Sequence, residues 1–318
     1  MDDHNGRLEL TGSAPWTKVS PMLPSPVSTP SEAGGIPWSA LGRLIRLENQ
    51  TGTLLLLLPT LWSLVLAERG LPSFRLVLIF SAGAFLMRSA GVILNDLADR
   101  SVDRHVARTQ RRPLASGELS VRPVLLLLGI LLITAAGLVL LLNRLTLLLT
   151  PIAMVLAGLY PFAKRVINVP QAALGVAFGW GAIMAWAAVA GRVDPPAWCV
   201  FGSTIAWAIA YDTIYAIQDR EDDRRLGVKS AAIFFGSRTW LAVGTAFVFM
   251  LVLIGTAGRM AECGWAFFAV LLGVGMFFAT QVRQLRKPLE PGTALAMFRA
   301  HVWAGCAILA GLLAGFLI

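Results

Sequence analysis

VILNDLADRSVDRHVARTQRRPLASG, residues 92–117, follows an apolar run directly, yet sets Asn95, Asp96, Asp99 and Asp103 among Arg100, Arg104, Arg108, Arg111 and Arg112. If the helix that ends the apolar run continues through it, Asn95, Asp99 and Asp103 recur at i, i+4 and i+8 and share one face. Neighbours on that line lie only about 5–6 Å apart at Cβ. The carboxylates therefore repel one another unless a cation sits between them, and a magnesium ion would relieve the strain.

The surrounding composition is that of a membrane protein. The 318 residues are 56% hydrophobic and 14% charged, and the mean hydropathy is +0.69. A soluble chain normally carries about a quarter charged residues. The apolar residues fall into runs near 40–67, 75–97, 121–142, 145–163, 170–190, 197–219, 237–257, 263–283 and 294–318. Each is close to the roughly 20 residues that cross a bilayer, so nine spans are expected.

A net charge of +9 could suggest nucleic acid, but the basic residues sit in the connections and alternate cleanly. One side collects Arg43 and Arg46, the arginines from Arg100 to Arg122, Lys164 and Arg165, those from Arg220 to Arg238, and Arg283 to Arg299. The other has only Arg69, Arg75, Arg144, Arg192 and Arg259. The first group marks the cytoplasm, which puts the N-terminus inside and the C-terminus on the opposite side. No nucleic-acid partner is expected. Residues 1–38, rich in Pro, Ser, Thr and Gly, read as a disordered cytoplasmic tail, and 39–318 as the transmembrane domain. Cys199, Cys263 and Cys306 form no CxxC pair, and the three histidines show no metal-ligand spacing.

The acidic pattern returns at the end of the sixth run, in YDTIYAIQDREDDRRLGVKS, residues 211–230. Tyr215, Asp219 and Asp223 again stand at i, i+4 and i+8. Asp99-Arg100-Ser101-Val102-Asp103 matches Asp219-Arg220-Glu221-Asp222-Asp223 at the same offset, the mark of an internal repeat. The expected fold is all-α, a bundle with two pseudo-repeated four-helix halves around a central cavity, each half opening with an acidic helix end. Magnesium takes hard oxygen ligands and usually binds through one or two carboxylates plus substrate phosphates. Two facing clusters could hold a diphosphate between metal ions, with Arg and Lys on the remaining phosphate oxygens. For a membrane enzyme, that chemistry fits a polyprenyl diphosphate with its tail between helices. A secondary transporter also combines repeats with membrane aspartates, but its sites usually lie near the midplane at broken helices.

Asn95-Asp96-x-x-Asp99-x-x-x-Asp103 and Asp212-x-x-Tyr215-Ala216-x-x-Asp219-x-x-x-Asp223 resemble the two aspartate-rich motifs of the UbiA-type intramembrane aromatic prenyltransferases. The resemblance runs from about Arg43 to the C-terminus. Within that superfamily TIYAIQDREDDRRLGVKS, RTQRRPLASG, Tyr160-Pro161-x-x-Lys164-Arg165 and LLLLLPTLWSLVLA look most like the members that prenylate 4-hydroxybenzoate in ubiquinone or plastoquinone biosynthesis. The resemblance implies transfer of a polyprenyl chain to the ring carbon ortho to the phenol hydroxyl, in a bacterial inner membrane or another energy-transducing membrane. It makes Asn95, Asp99, Asp219 and Asp223 magnesium–diphosphate ligands, with Asp96, Asp103 and Asp212 supporting them and Asp96 also counted at the metal. Other acceptors used in the superfamily are naphthoate, homogentisate, haem and chlorophyllide. Where the family often has Lys-Pro before the glycine of the first span, this chain has Asn49-Gln50 before Gly52.

Tyr211 and Tyr215 could present π-faces to developing positive charge. For the acceptor's carboxylate the candidates are Arg46, Arg88, Lys164 and Arg165, with Arg165 preferred because its fork can bind a carboxylate bidentately. Lys229, after the flexible Gly227, is expected to fold over the diphosphate.

Overall fold

The computed structural model describes residues 38–317 apart from Ala107 and the side chain of Leu226. The stretch read as a tail therefore lies, but for Trp38, outside the described residues. Among the described residues the apolar runs form long helices: α1 (Thr51–Glu68), α2 (Phe74–Ala98), α3 (Val121–Val139), α4 (Arg144–Leu159), α5 (Pro170–Ala190), α6 (Pro195–Ala216), α7 (Thr239–Met260), α8 (Trp265–Gln284) and α9 (Pro291–Gly315). Their ends follow from local chemistry. Proline, whose missing N–H costs nothing in the first turn, opens α5, α6 and α9. The Asn143 side chain accepts from the Thr146 backbone N–H to cap α4, and Gly191 closes α5 in the left-handed conformation at φ 66°.

Eight of these segments are long and apolar enough to cross a membrane. The remaining one, α6, has 22 residues but carries Ser203, Thr204, Tyr211, Asp212 and Thr213. Its position explains the difference. It packs against α1, α5, α7 and α9, with Val200, Trp207, Ala208 and Ile214 fully buried, so protein rather than lipid surrounds most of it. A helix shielded in this way tolerates polar side chains that a lipid-facing helix does not.

The helices of the two expected halves do not separate, because α5 packs closely on α6 across the boundary. α2 packs on α3, α4 lies against α5, and α7, α8 and α9 pack in sequence beside α6. The largest core joins α1, α5 and α6 to α7–α9. At its centre the Trp62 ring lies tilted against Trp207, centroids 5.0 Å apart, and donates from Nε1 to the Gly305 carbonyl at 3.0 Å. His301, fully buried, accepts from Trp207 Nε1 at 3.0 Å and is a packing residue, as its solitary place in the sequence suggests.

Close approach between α5 and α6 depends on Gly175. A Cβ there would lie 2.7 Å from the Ile205 Cα, a backbone atom that cannot step aside. Gly175→Ala is therefore expected to separate the two helices that carry much of the cavity wall, at about 1–3 kcal/mol. A thermal melt of the detergent-solubilised protein checks this; an unchanged midpoint would contradict it.

Two expected continuities are broken. The first apolar segment does not run unbroken from residue 40: a short helix, Trp38–Leu44, ends before α1 begins. Arg46, between them, sits at φ 59°, a conformation unfavourable for a residue with a Cβ. The second break is at Asp99. α2 stops at Ala98 and a short turn, Arg100–Asp103, follows. The i to i−4 bonds from Asp99 N to Asn95 O at 2.9 Å and from Asp103 N to Asp99 O at 2.8 Å nevertheless persist, so the three side chains keep nearly the spacing of one helix face. The second motif repeats the device. α6 ends at Ala216, Arg220–Leu226 is helical, and Asp219 has φ −99° and ψ 5° against −98° and 2° at Asp99.

Candidate active site

The acidic ends of α2 and α6 face one cavity of about 540 Å³. Its wall includes Asn95, Asp96, Asp99 and Asp103 from the first motif and Asp212, Tyr215, Asp219 and Asp223 from the second, together with Arg46, Arg88, Lys164 and Lys229. The two halves of the repeat thus meet at a single site. Arg165 is the exception among the candidates: it is exposed, donates from Nη2 to the Ala98 carbonyl at 2.7 Å, and lies 5.4 Å from the Phe162 ring. It ties the turn after α4 to the end of α2. The sequence could not separate it from Lys164, one residue earlier, whose side chain turns the other way.

Arginine and lysine supply the countercharge that the line of carboxylates demands. Asp96, 1% exposed, receives Arg46 Nη2 at 2.9 and 3.1 Å and Arg112 Nη1 at 3.0 Å. Arg112 Nη1 also reaches Asp103 at 2.8 Å. Breaking one partner from so buried a set would leave an uncompensated charge, which is strongly destabilising. Burial draws the Arg46 guanidinium below its ordinary value while Asp96 opposes the shift. Both Asp96 oxygens are engaged by guanidinium groups at the edge of the cavity.

Asp99 is paired with Lys164. Asp219 takes a two-pronged contact from Arg108, Nε at 2.7 Å and Nη2 at 2.6 Å. Arg108 also donates to the Tyr215 hydroxyl at 3.2 Å, and its Cζ stands 5.6 Å from that ring. The Tyr215 ring thus already has a cation beside it, and Phe298 packs against it at 4.7 Å. Asp223 has no ion pair among the described residues. Burial, then the adjacent charge of Asp219, pushes its carboxyl up to about 7, and a further cation beside it would favour the charged form. Lys229, on the cavity wall, donates to the Val166 carbonyl at 2.7 Å.

Sequence reasoning treated Arg108 and Arg112 as part of a basic loop. Their spacing of four, matching that of the acidic residues, was the available signal. It could not say that Arg108 crosses to the second motif whereas Arg112 stays with the first. Gln171 and Phe298, both on the cavity wall, carried no sequence signal.

A second cavity, about 190 Å³ and lined mainly by apolar side chains, runs between α2, α3, α4 and α5. Arg88, Tyr160, Leu174 and Phe178 line both cavities. Arg88 has no hydrogen bond or ion pair among the described residues, and its guanidinium lies over Gly52: a Cβ at that position would come within 2.5 Å of Arg88 Nε. The glycine of the first span makes room for this arginine.

Chemically, the donor set is hard oxygen from Asn95, Asp99, Asp219 and Asp223. Among the described residues no three His, Cys, Asp or Glu side chains converge closely enough to hold an ion alone.

The sequence pattern of the UbiA prenyltransferase family matches residues 56–315. The chain is 44% identical over 272 residues to the 4-hydroxybenzoate octaprenyltransferase of Coxiella burnetii (strain RSA 493 / Nine Mile phase I), covering 85% of this chain and 94% of the relative. It is 45% identical over 248 residues to the protein of that name from Serratia proteamaculans (strain 568), covering 78% and 86%. In fold it resembles the apo structure of a UbiA homolog from Aeropyrum pernix K1, with a TM-score of 0.71 at 23% identity over 82% of this chain and 97% of that one. A UbiA homolog from Archaeoglobus fulgidus bound to GPP and Mg2+ gives 0.62 at 18% identity, over 88% and 100%.

Proposed function

The chain belongs to the UbiA prenyltransferase family, and from that membership we propose that it transfers a polyprenyl chain from polyprenyl diphosphate to the ring of 4-hydroxybenzoate, ortho to the hydroxyl, as a membrane step of quinone biosynthesis. The observation that carries this reading is the meeting of both acidic motifs on one polar cavity that shares four wall residues with an apolar one. The diphosphate belongs in the first and the start of the prenyl tail in the second. The relatives named 4-hydroxybenzoate octaprenyltransferase support the acceptor.

Asn95, Asp99, Asp219 and Asp223 would hold the magnesium. Bound there, the ion would neutralise the leaving diphosphate and favour cleavage of the allylic C–O bond. Arg108 and Lys164, now paired with Asp219 and Asp99, are within reach of the same space and would take phosphate oxygens when those carboxylates change partner. Arg46 and Arg112, anchored by Asp96, extend the cationic wall. Tyr215 would offer its π-face to the positive charge that develops at the allylic carbon, worth roughly 0.5–2 kcal/mol. The apolar cavity keeps water from that carbon. Arg88, at the junction and free of a partner among the described residues, is the receptor for the acceptor's carboxylate in place of Arg165. By the positive-inside rule the cavity mouth faces the cytoplasm, the N-terminal side lies inside and the C-terminus opposite.

The test is incubation of the purified protein in lipid with a polyprenyl diphosphate, radiolabelled 4-hydroxybenzoate and magnesium. Label is expected in the lipid phase, lost on adding EDTA and restored by excess magnesium. Transfer to another aromatic acceptor but not to 4-hydroxybenzoate would overturn the substrate and leave the chemistry. No transfer to any acceptor would overturn both.

A further inference from the structure

Gln171 is the second residue of α5, directly after the Pro170 that opens the helix. Its side chain is 3% exposed and lies on the wall of the polar cavity. The neighbouring helix α6 brings Asp212 to the same wall.

Gln171 Oε1 is buried and has no hydrogen-bond partner among the described residues. A buried acceptor left unmatched in a cavity wall is costly, and the cost disappears when something in the cavity donates to it. The Tyr211 hydroxyl, on the same wall, is likewise buried and unpartnered. Two polar atoms without protein partners thus stand in a region otherwise edged by Tyr160, Leu174 and Phe178. An aromatic ring bearing one hydroxyl matches those surroundings: the ring takes the apolar surface, and its O–H supplies the donor that Oε1 lacks.

We propose that Gln171 Oε1 accepts the hydrogen bond of the acceptor's phenol hydroxyl, which makes Gln171 the residue that selects a hydroxylated aromatic acid over its unsubstituted analogue. This inference rests on the prenyl-transfer reading above. It adds a reason for the position of attack, because holding the hydroxyl also holds the ring carbon next to it. Sites built to hydrogen-bond a substrate hydroxyl discriminate strongly against ligands that lack it, since the protein group is otherwise left unmatched.

The experiment compares 4-hydroxybenzoate and benzoate as ligands of the full-length protein in lipid, by displacement of radiolabelled 4-hydroxybenzoate, in the native chain and in Gln171→Leu. The native protein is expected to prefer the hydroxylated acid at least about tenfold. In Gln171→Leu that ratio falls to near one, while benzoate affinity and the Michaelis constant for prenyl diphosphate stay as they were. A variant that keeps the native ratio overturns the proposal. So does one that weakens both acids equally, which is the result of a merely structural role. Should Gln171→Leu fail to fold, equal affinity of the native protein for the two acids overturns the proposal unaided. A native chain that discriminates between the acids yet transfers no prenyl group would sink the prenyl-transfer reading and leave the Gln171 contact standing.

Discussion

Asp219→Ala is expected to lower the turnover of prenyl transfer by about 10²–10³-fold at saturating substrate, and Asp99→Ala by a similar factor. Each change removes an oxygen ligand from the diphosphate site. Each also releases the cation that the carboxylate positions: Arg108 loses its two-pronged contact with Asp219, and Lys164 loses Asp99. Because the two residues come from different halves of the repeat yet line the same cavity, equal severity is itself part of the expectation. Asp222→Ala provides the comparison. Asp222 lies next to Asp223 in sequence but is not on the cavity wall, and its loss should leave turnover within about twofold of native. Initial rates across a magnesium titration test all three. Near-native turnover in either Asp219→Ala or Asp99→Ala would remove that motif from the site.

Arg88→Gln is expected to raise the Michaelis constant for the aromatic acid by roughly 10–150-fold, the equivalent of a hydrogen bond to a charged group at about 1.5–3 kcal/mol. The Michaelis constant for prenyl diphosphate should change far less. Arg88 is at the junction of the polar and apolar cavities, where the acceptor must stand to meet the end of the prenyl chain. Gly52→Ala offers an independent route to the same defect, since its Cβ would occupy space within 2.5 Å of Arg88 Nε and displace the guanidinium. If the acid's Michaelis constant is unchanged in Arg88→Gln, the carboxylate is received elsewhere, and Arg46 is the next residue to test.

Periodicity made the acidic motifs legible. Spacing of four placed Asn95, Asp99 and Asp103 on one line, and the matching offset at Asp219 and Asp223 revealed the repeat. The structure keeps that register even though the helix breaks at Asp99 and Asp219 with nearly identical dihedrals. Apolar run length located the helices to within a few residues except at the start of the first, where a short separate helix precedes α1. What spacing could not express is which cation goes to which carboxylate. Lys164 and Arg165 are adjacent in sequence, yet one pairs with Asp99 and the other with a backbone carbonyl outside the cavity. That outcome is set by how the turn after α4 docks on α2.

Tertiary context explains the other differences. α6 is long enough to span but less apolar than the rest because other helices surround it, a fact of packing rather than of composition. The predicted strain between like charges in the first motif is real in its premise, but Arg112 from the same stretch, and Arg46 and Lys164 from farther away in the chain, relieve it. Gln171 gave no signal at all, since a glutamine at a helix start is ordinary until the surroundings leave its carbonyl oxygen unmatched.

The proposed metal–diphosphate site draws its ligands from both halves of the repeat. Manganese(II), a spectroscopic stand-in for magnesium, can be titrated into the full-length protein in lipid with inorganic pyrophosphate present, and its bound fraction read by electron paramagnetic resonance. The native chain, Asp99→Asn and Asp219→Asn are compared. A shared site predicts that each substitution alone weakens manganese binding at least about tenfold, the loss of roughly one charged ligand interaction. Native-like binding in either variant would mean that its half of the molecule does not contribute to the site, and would contradict the account.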